Sequence, residues 1–96
     1  MEAKEITHNR EKQRFELQVD EHKAMVKYNL VQPDVWSLNH TFVPRQLEGR
    51  GIGSELVRQV LAHCRNHGIR IIPVCPFIEA YIRRHPEWSD LVHEGQ

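Results

Sequence analysis

Cysteine is scarce, charge is balanced and no apolar run is long, and each of these shortages narrows what the chain can be. Only Cys64 and Cys75 are present, which does not make the disulfide framework of a small secreted domain. Thirteen basic residues meet thirteen acidic ones, so there is no broad positive footprint for DNA or RNA, and Arg83-Arg84 is a candidate local basic patch. No apolar stretch approaches the roughly 20 residues that cross a bilayer. Met1 to Thr7 lacks the apolar segment of a secretory signal. The expectation is a cytoplasmic chain that engages neither nucleic acid nor membrane, in which the formal glycosylation triplet Asn39-His40-Thr41 is fortuitous.

What is present is ordinary for a soluble globular protein: 96 residues, 40% hydrophobic and 27% charged. That length supports one core and one domain, expected over residues 1–96 with the polar residues 1–12 fraying. Seven histidines raise the question of a metal. His63 and His67 are four apart on a predicted helix and share a face. His63 has no neighbouring Glu, as an HExxH site requires, and no CxxC pair completes a zinc knuckle. The pair reads as solvated helix histidines, and no metal is expected.

Periodicity sets out the elements. Phe15, Leu17 and Val19 alternate with Glu16 and Gln18, the mark of a half-buried strand. Asp20-Glu21-His22 reads as a tight turn, after which Ala24, Val26, Tyr28 and Leu30 continue the alternation. Gln32-Pro33-Asp34 is a stronger turn, because proline fixes φ and Asp bonds back to the backbone. A third strand follows from Val35 to Val43, so three strands joined by short turns form an antiparallel meander. Then the period changes. Leu56, Val57, Val60, Leu61 and Cys64 make a helical stripe within Ser54 to His67, closed by Gly68. Ile69 to Val74 is a short β-branched strand that must run parallel to the third across a helical crossover. Pro76 opens a second helix with Phe77, Ile78, Tyr81 and Ile82 inward and Arg83-Arg84 in its last turn, and Pro86 ends it. The predicted class is α+β, in the order β-β-β-α-β-α.

Between the third strand and the first helix lies Glu48-Gly49-Arg50-Gly51-Ile52-Gly53-Ser54. Such a loop leaves backbone N–H groups unpaired at a helix N-terminus, where the dipole favours an anion and glycines let a phosphate approach. A Walker A loop needs Gly-Lys-Ser/Thr, whereas Ser54-Glu55 follows Gly53 here. A dinucleotide fold places its glycines after the first strand of a βαβ series, not after an antiparallel third strand. The arrangement instead resembles the GNAT superfamily of acyl-CoA-dependent N-acetyltransferases, whose Arg/Gln-x-x-Gly-x-Gly/Ala signature is matched by Glu48 to Gly53. It is similar to the small single-domain YjdJ-type branch over about Phe15 to Trp88. That likeness is carried by His40-Thr41-x-Val43-Pro44, Gly49-x-Gly51-Ile52-Gly53, Pro73-x-Cys75 and Tyr81-x-x-x-His85-Pro86.

The resemblance implies a cleft where the third and fourth strands splay, with acetyl-CoA or CoA as co-substrate. In it the amides of Arg50, Gly51, Ile52, Gly53 and Ser54 hold the pyrophosphate, and backbone groups of Phe42 and Val43 line the pantetheine arm and polarise the thioester. The acceptor is a small-molecule amine or a protein amino group. Two positions depart from the pattern: Glu48 stands where Arg or Gln is usual, and Phe42 where many relatives carry Glu. Cys75, between a strand and a helix N-terminus, is a candidate nucleophile or proton donor, or else a small buried hydrophobe. His40 is a candidate base or a structural hydrogen-bond partner. Tyr81 is a candidate proton donor whose spacing from Phe77 and Ile78 fits core packing. An acetyltransferase is one reading; a non-catalytic CoA-binding or protein-interaction module is the other.

Overall fold

The computed structural model describes residues 5–93. One sheet carries five strands in chain order: β1 (Thr7–Asn9), β2 (Arg14–Val19), β3 (His22–Gln32), β4 (Val35–Phe42) and β5 (Arg70–Pro73). The first four form an antiparallel meander, and β5 joins β4 in parallel. Helix α1 (Ile52–Asn66) makes the crossover, and α2 (Pro76–Arg84) is followed by a 3-10 turn at Pro86–Leu91. The mixed class, the meander and the parallel crossover are as the periodicity predicts.

Alternation along the strands decides the inner face. Phe15 stands opposite Val26 and Leu17 opposite Ala24, and all four are buried. The α1 stripe of Leu56, Val57, Val60, Leu61 and Cys64 is fully buried against them, and truncating one of these leucines to Ala costs about 2–5 kcal/mol. Cys64 lies so deep that burial pushes its thiol up to about 12, which makes it an inert hydrophobe. Helix α2 adds Ile78, Tyr81 and Ile82 to the same core. The other face of the sheet is polar: Gln18, Lys23, Lys27, Asn29 and His40 are exposed there. Gly68, at φ 68°, ends α1 with its N–H on the Arg65 carbonyl and that of Ile69 on the Cys64 carbonyl, the paired bonds that close a helix through a left-handed residue.

Two expectations are corrected at the start of the chain and on α1. Residues 7–9, read as part of a fraying segment, form the edge strand β1, pairing Thr7 with Glu16 and Asn9 with Arg14; residues 1–4 of that segment lie outside the described residues. Aromatic stacking rather than aliphatic alternation holds this strand. The His8 ring stacks on Phe15 at 4.4 Å, its Nε2 lies 2.6 Å from the Tyr28 hydroxyl, and the Ile6 N–H donates to Gln59 of α1. His63 is not a solvated helix histidine. It is half-buried, edge-on to His8 and Phe15 and stacked on His67 at 4.1 Å. Its Nε2 is buried with no hydrogen-bond partner among the described residues.

This cluster makes stability depend on pH. Burial, then Arg10 and the other two histidines, lowers His8 from its ordinary 6.5 to about 4; burial, then His67 and Arg10, also lowers His63. A depressed histidine favours the fold while neutral, so the contribution is complete above the unfolded value of about 6.5 and is lost as pH falls toward about 4. Urea midpoints are expected to decline steadily across that window, and less steeply in His8→Phe. A flat profile would show that the cluster carries no linkage.

Candidate functional site

A bulge in β4 creates the site. Lys27 pairs with His40 and Tyr28 with Leu38, which leaves Asn39 without a partner on β3. An extra residue of this kind bends its strand and increases the local twist. On the other side, β5 stays in register with β4 only from Val35–Arg70 to Leu38–Pro73. One further bond crosses, from the Cys75 N–H to the Leu38 carbonyl at 2.9 Å. Beyond it, His40, Thr41 and Phe42 keep their β3 partners and have none on β5. The two parallel strands therefore fork, as the resemblance implies.

The glycine loop stands above the fork. After a 3-10 turn at Arg45–Leu47, Gly49 and Gly51 take φ of 80° and 73°, conformations that side chains with a Cβ resist. Gly51 is the N-cap, so α1 begins at Ile52, two residues earlier than the expected Ser54. The first bond of the helix is from Glu55 N–H to the Gly51 carbonyl, which leaves the amides of Ile52, Gly53 and Ser54 without intrahelical acceptors at the positive end of the dipole. They open on a cleft of about 250 Å³ lined by Val43, Leu47, Glu48, the loop glycines, Ile52, Ser54 and Phe77. Gly53 is small for a steric reason: a Cβ there would stand 3.0 Å from the Phe77 ring and 3.4 Å from Val43.

Of the residues expected at the cofactor, Val43, Gly51, Ile52, Gly53 and Ser54 line this cleft. The Phe42 side chain is 45% exposed outside it. The Arg50 guanidinium is also outside the lining, 3.6 Å from the Asp20 carboxylate in the β2–β3 turn. A larger depression of about 530 Å³ flanks α1 beside Glu5, Arg58, Gln59 and His63, but none of the expected site residues borders it.

Cys75 sits at the floor of the fork as the N-cap of α2. Its Sγ lies 3.4 Å from Thr41 Oγ1, a partner not picked out from the sequence. Burial pushes the thiol up, yet the Thr41 hydroxyl and the amides of Ile78, Phe77 and Thr41 outweigh it and hold the thiol below its ordinary value. His40 adjoins Thr41 on the strand and so points to the opposite face of the sheet, where it is exposed opposite Lys27. Tyr81 is 5% exposed, its ring tilted against that of His85 with centroids 4.3 Å apart. Burial raises its phenol, with Arg58, Glu87, Glu55 and the Trp88 indole as its polar neighbours. The fork thus brings together Cys75 and Thr41, while His40 and Tyr81 share none of the thiol's partners. Among the described residues no group of three or more His, Cys, Asp or Glu side chains can hold a metal ion, and no helix is long and apolar enough to cross a membrane.

Residues 14–91 match the family model for GCN5-related N-acetyl-transferase. Protein NATD1 of Gallus gallus is 25% identical over 91 residues, 93% of this chain and 83% of that protein. Protein NATD1 of Homo sapiens is 25% identical over 83 residues, 84% of this chain and 74% of that protein. The NMR solution structure of a GCN5-like candidate N-acetyltransferase from Staphylococcus aureus superposes with a TM-score of 0.72 at 26% identity. It covers 100% of this chain and 94% of the other.

The environment of the thiol is directly measurable. Thiolate absorbance should titrate Cys75 below the ordinary range near 8.5 while Cys64 stays silent, and the signal should vanish in Cys75→Ala. Thr41→Val removes the hydroxyl at similar volume, so the titration should move to higher pH; an unmoved curve would mean that the hydroxyl does not govern the thiol.

Proposed function

Because this chain belongs to the GCN5-related N-acetyltransferase family, we propose that it moves acetyl from acetyl-CoA to an amine at the fork between β4 and β5. The observation that carries the reading is the fork with its two ends equipped: free helix-terminal amides above and a thiol held below its ordinary value at the floor. The amides of Ile52, Gly53 and Ser54 receive the pyrophosphate, whose charge the helix terminus favours. The backbone of Phe42 and Val43, where β4 ends, lies alongside the pantetheine arm and polarises the thioester carbonyl.

Two electron-balanced routes run through Cys75. In the direct route the neutral amine attacks the thioester carbonyl, the C–S bond breaks as the Cys75 thiol protonates the departing CoA thiolate, and the resulting Cys75 thiolate takes up the proton that the acetylated nitrogen sheds. In the covalent route the Cys75 thiolate attacks first and expels the CoA thiolate, which takes a proton from water; the amine then attacks the acetyl-cysteine thioester, expels the Cys75 thiolate and gives up its own proton to solvent. A thiol below its ordinary value serves both, since it is the stronger acid toward a thiolate and the more ionised nucleophile.

Calorimetric titration with acetyl-CoA and CoA, with ATP as control, tests the reading. Micromolar binding of the CoA species alone supports it and leads to an amine panel scored by free-thiol release. Lack of binding would return the chain to the alternative of an interaction module. Acetyl-CoA without amine should add one acetyl group to the protein, as read by mass, only on the covalent route, and Cys75→Ala with full turnover would remove the thiol from both routes. Glu48 borders the cleft as an exposed carboxylate, so Glu48→Gln should tighten CoA binding several-fold, an effect that salt weakens.

A further inference from the structure

Arg50 is flanked by two glycines that border the cleft, yet its own side chain does not; the guanidinium is turned away to Asp20. Asp20 holds a left-handed conformation, φ 55°, in the two-residue turn between Val19 and His22, which Asp and Asn tolerate better than other residues with a Cβ. We infer that Asp20 helps to park Arg50 outside the anion cradle, and that a ligand phosphate draws the guanidinium off Asp20. The inference rests on reading the cleft as a CoA site and adds a residue from a different element, which no glycine-loop pattern contains.

The energetics favour exchange over a fixed clamp. The two charges stand 3.6 Å apart with side chains 39% and 69% exposed, and solvent screening leaves a pair of that kind weak. A phosphate can take a guanidinium through two parallel N–H···O bonds, shorter and stronger than this contact. The same phosphate would lie over the free amides of α1, so the cradle and the arm act on one anion. The Arg50 backbone stands between two glycines that border the cleft, so the guanidinium is tethered next to the cradle. In the unliganded protein Asp20 and Glu48 then leave the cradle short of positive charge, and the first anion to arrive recruits it.

Calorimetry on the full chain tests the exchange, with CoA, inorganic pyrophosphate and phosphate-free pantetheine as probes. The variants are Asp20→Asn, Arg50→Gln and their double. Asp20→Asn keeps a left-handed-tolerant residue and removes only the charge, and urea midpoints verify that each variant folds. Expected is about two- to fivefold tighter binding of CoA and pyrophosphate to Asp20→Asn. Arg50→Gln should bind both more weakly, the double variant should show no gain over Arg50→Gln, and pantetheine should ignore all three. Unchanged or weaker phosphate binding in Asp20→Asn overturns the inference and makes Asp20 a support for the loop. If CoA does not bind while pyrophosphate shows the gain, the exchange stands and the CoA reading falls.

Discussion

One hydrogen bond, from the Cys75 N–H to the Leu38 carbonyl, is the last link between two parallel strands, and the candidate site depends on where it falls. Up to that link, β4 and β5 are an ordinary parallel pair. Past it, the extra residue Asn39 turns β4 away, and backbone groups that a sheet would have paired are left to face something else. A parallel strand cannot return directly, so the chain must climb through α1 to reach β5. That obligation places the N-terminus of α1 above the fork. The N-terminus of α2 arrives at its floor for the same topological reason, because α2 starts immediately after β5 ends. Two helix starts therefore converge on one opening, and with them the orphan N–H groups that favour negative charge.

The remainder of the molecule packs around this fork. Leu38 itself is fully buried, and the stripe of α1 from Leu56 to Cys64 fixes the helix against β2 and β3. At the far end of α1, Arg65 pairs with Asp90 and lies over the Trp88 ring at 4.6 Å, while His93 N–H bonds the Ile71 carbonyl on the outer edge of β5. The C-terminal segment thus pins the paired end of β5 and covers part of its edge. The opposite end of the strand is left to diverge. A sheet edge closed at one end and a strand released at the other is a cheap way to keep an opening in a domain of this size.

Much of this was legible because it is periodic. Alternation in Phe15 to Val19 and Ala24 to Tyr28, the 3.6-residue stripe of α1 and the glycine after it each reflect burial of one face, and burial writes itself into the sequence. The glycine loop was legible for another reason, since positive φ at Gly49 and Gly51 demands glycine. What escaped notice has no period. The Asn39 bulge is a single surplus residue in a strand of otherwise normal pattern, and only its partner strand exposes it. Strand β1 is held by a histidine ring between Phe15 and Tyr28, a contact that polar spacing disguises as a fraying end. The Asp20–Arg50 and Thr41–Cys75 pairs join residues far apart in the chain, whose sequence neighbours carry no trace of the contact. Faces were predictable only in part: alternation separates Thr41 from His40, but which of them meets the thiol depends on a register that the bulge sets.

The thiol ties the chemistry back to that register. Burial alone would push the Cys75 thiol up, in the same direction as the deeper Cys64, whose thiol rises to about 12 with nothing to oppose it. The difference is a set of donors contributed by both walls of the fork: the hydroxyl and amide of Thr41 from β4, and the amides of Phe77 and Ile78 from the first turn of α2. The Thr41 amide is available to sulfur because β5 has already left the sheet. Had the ladder continued past Leu38, a β5 carbonyl would claim that amide, and the thiol would lose a donor on the very side where it meets the opening. The fork and the lowered thiol are therefore one feature seen twice, first as topology and then as acidity. A substitution that re-paired the strands would abolish the second by closing the first, without touching the cysteine.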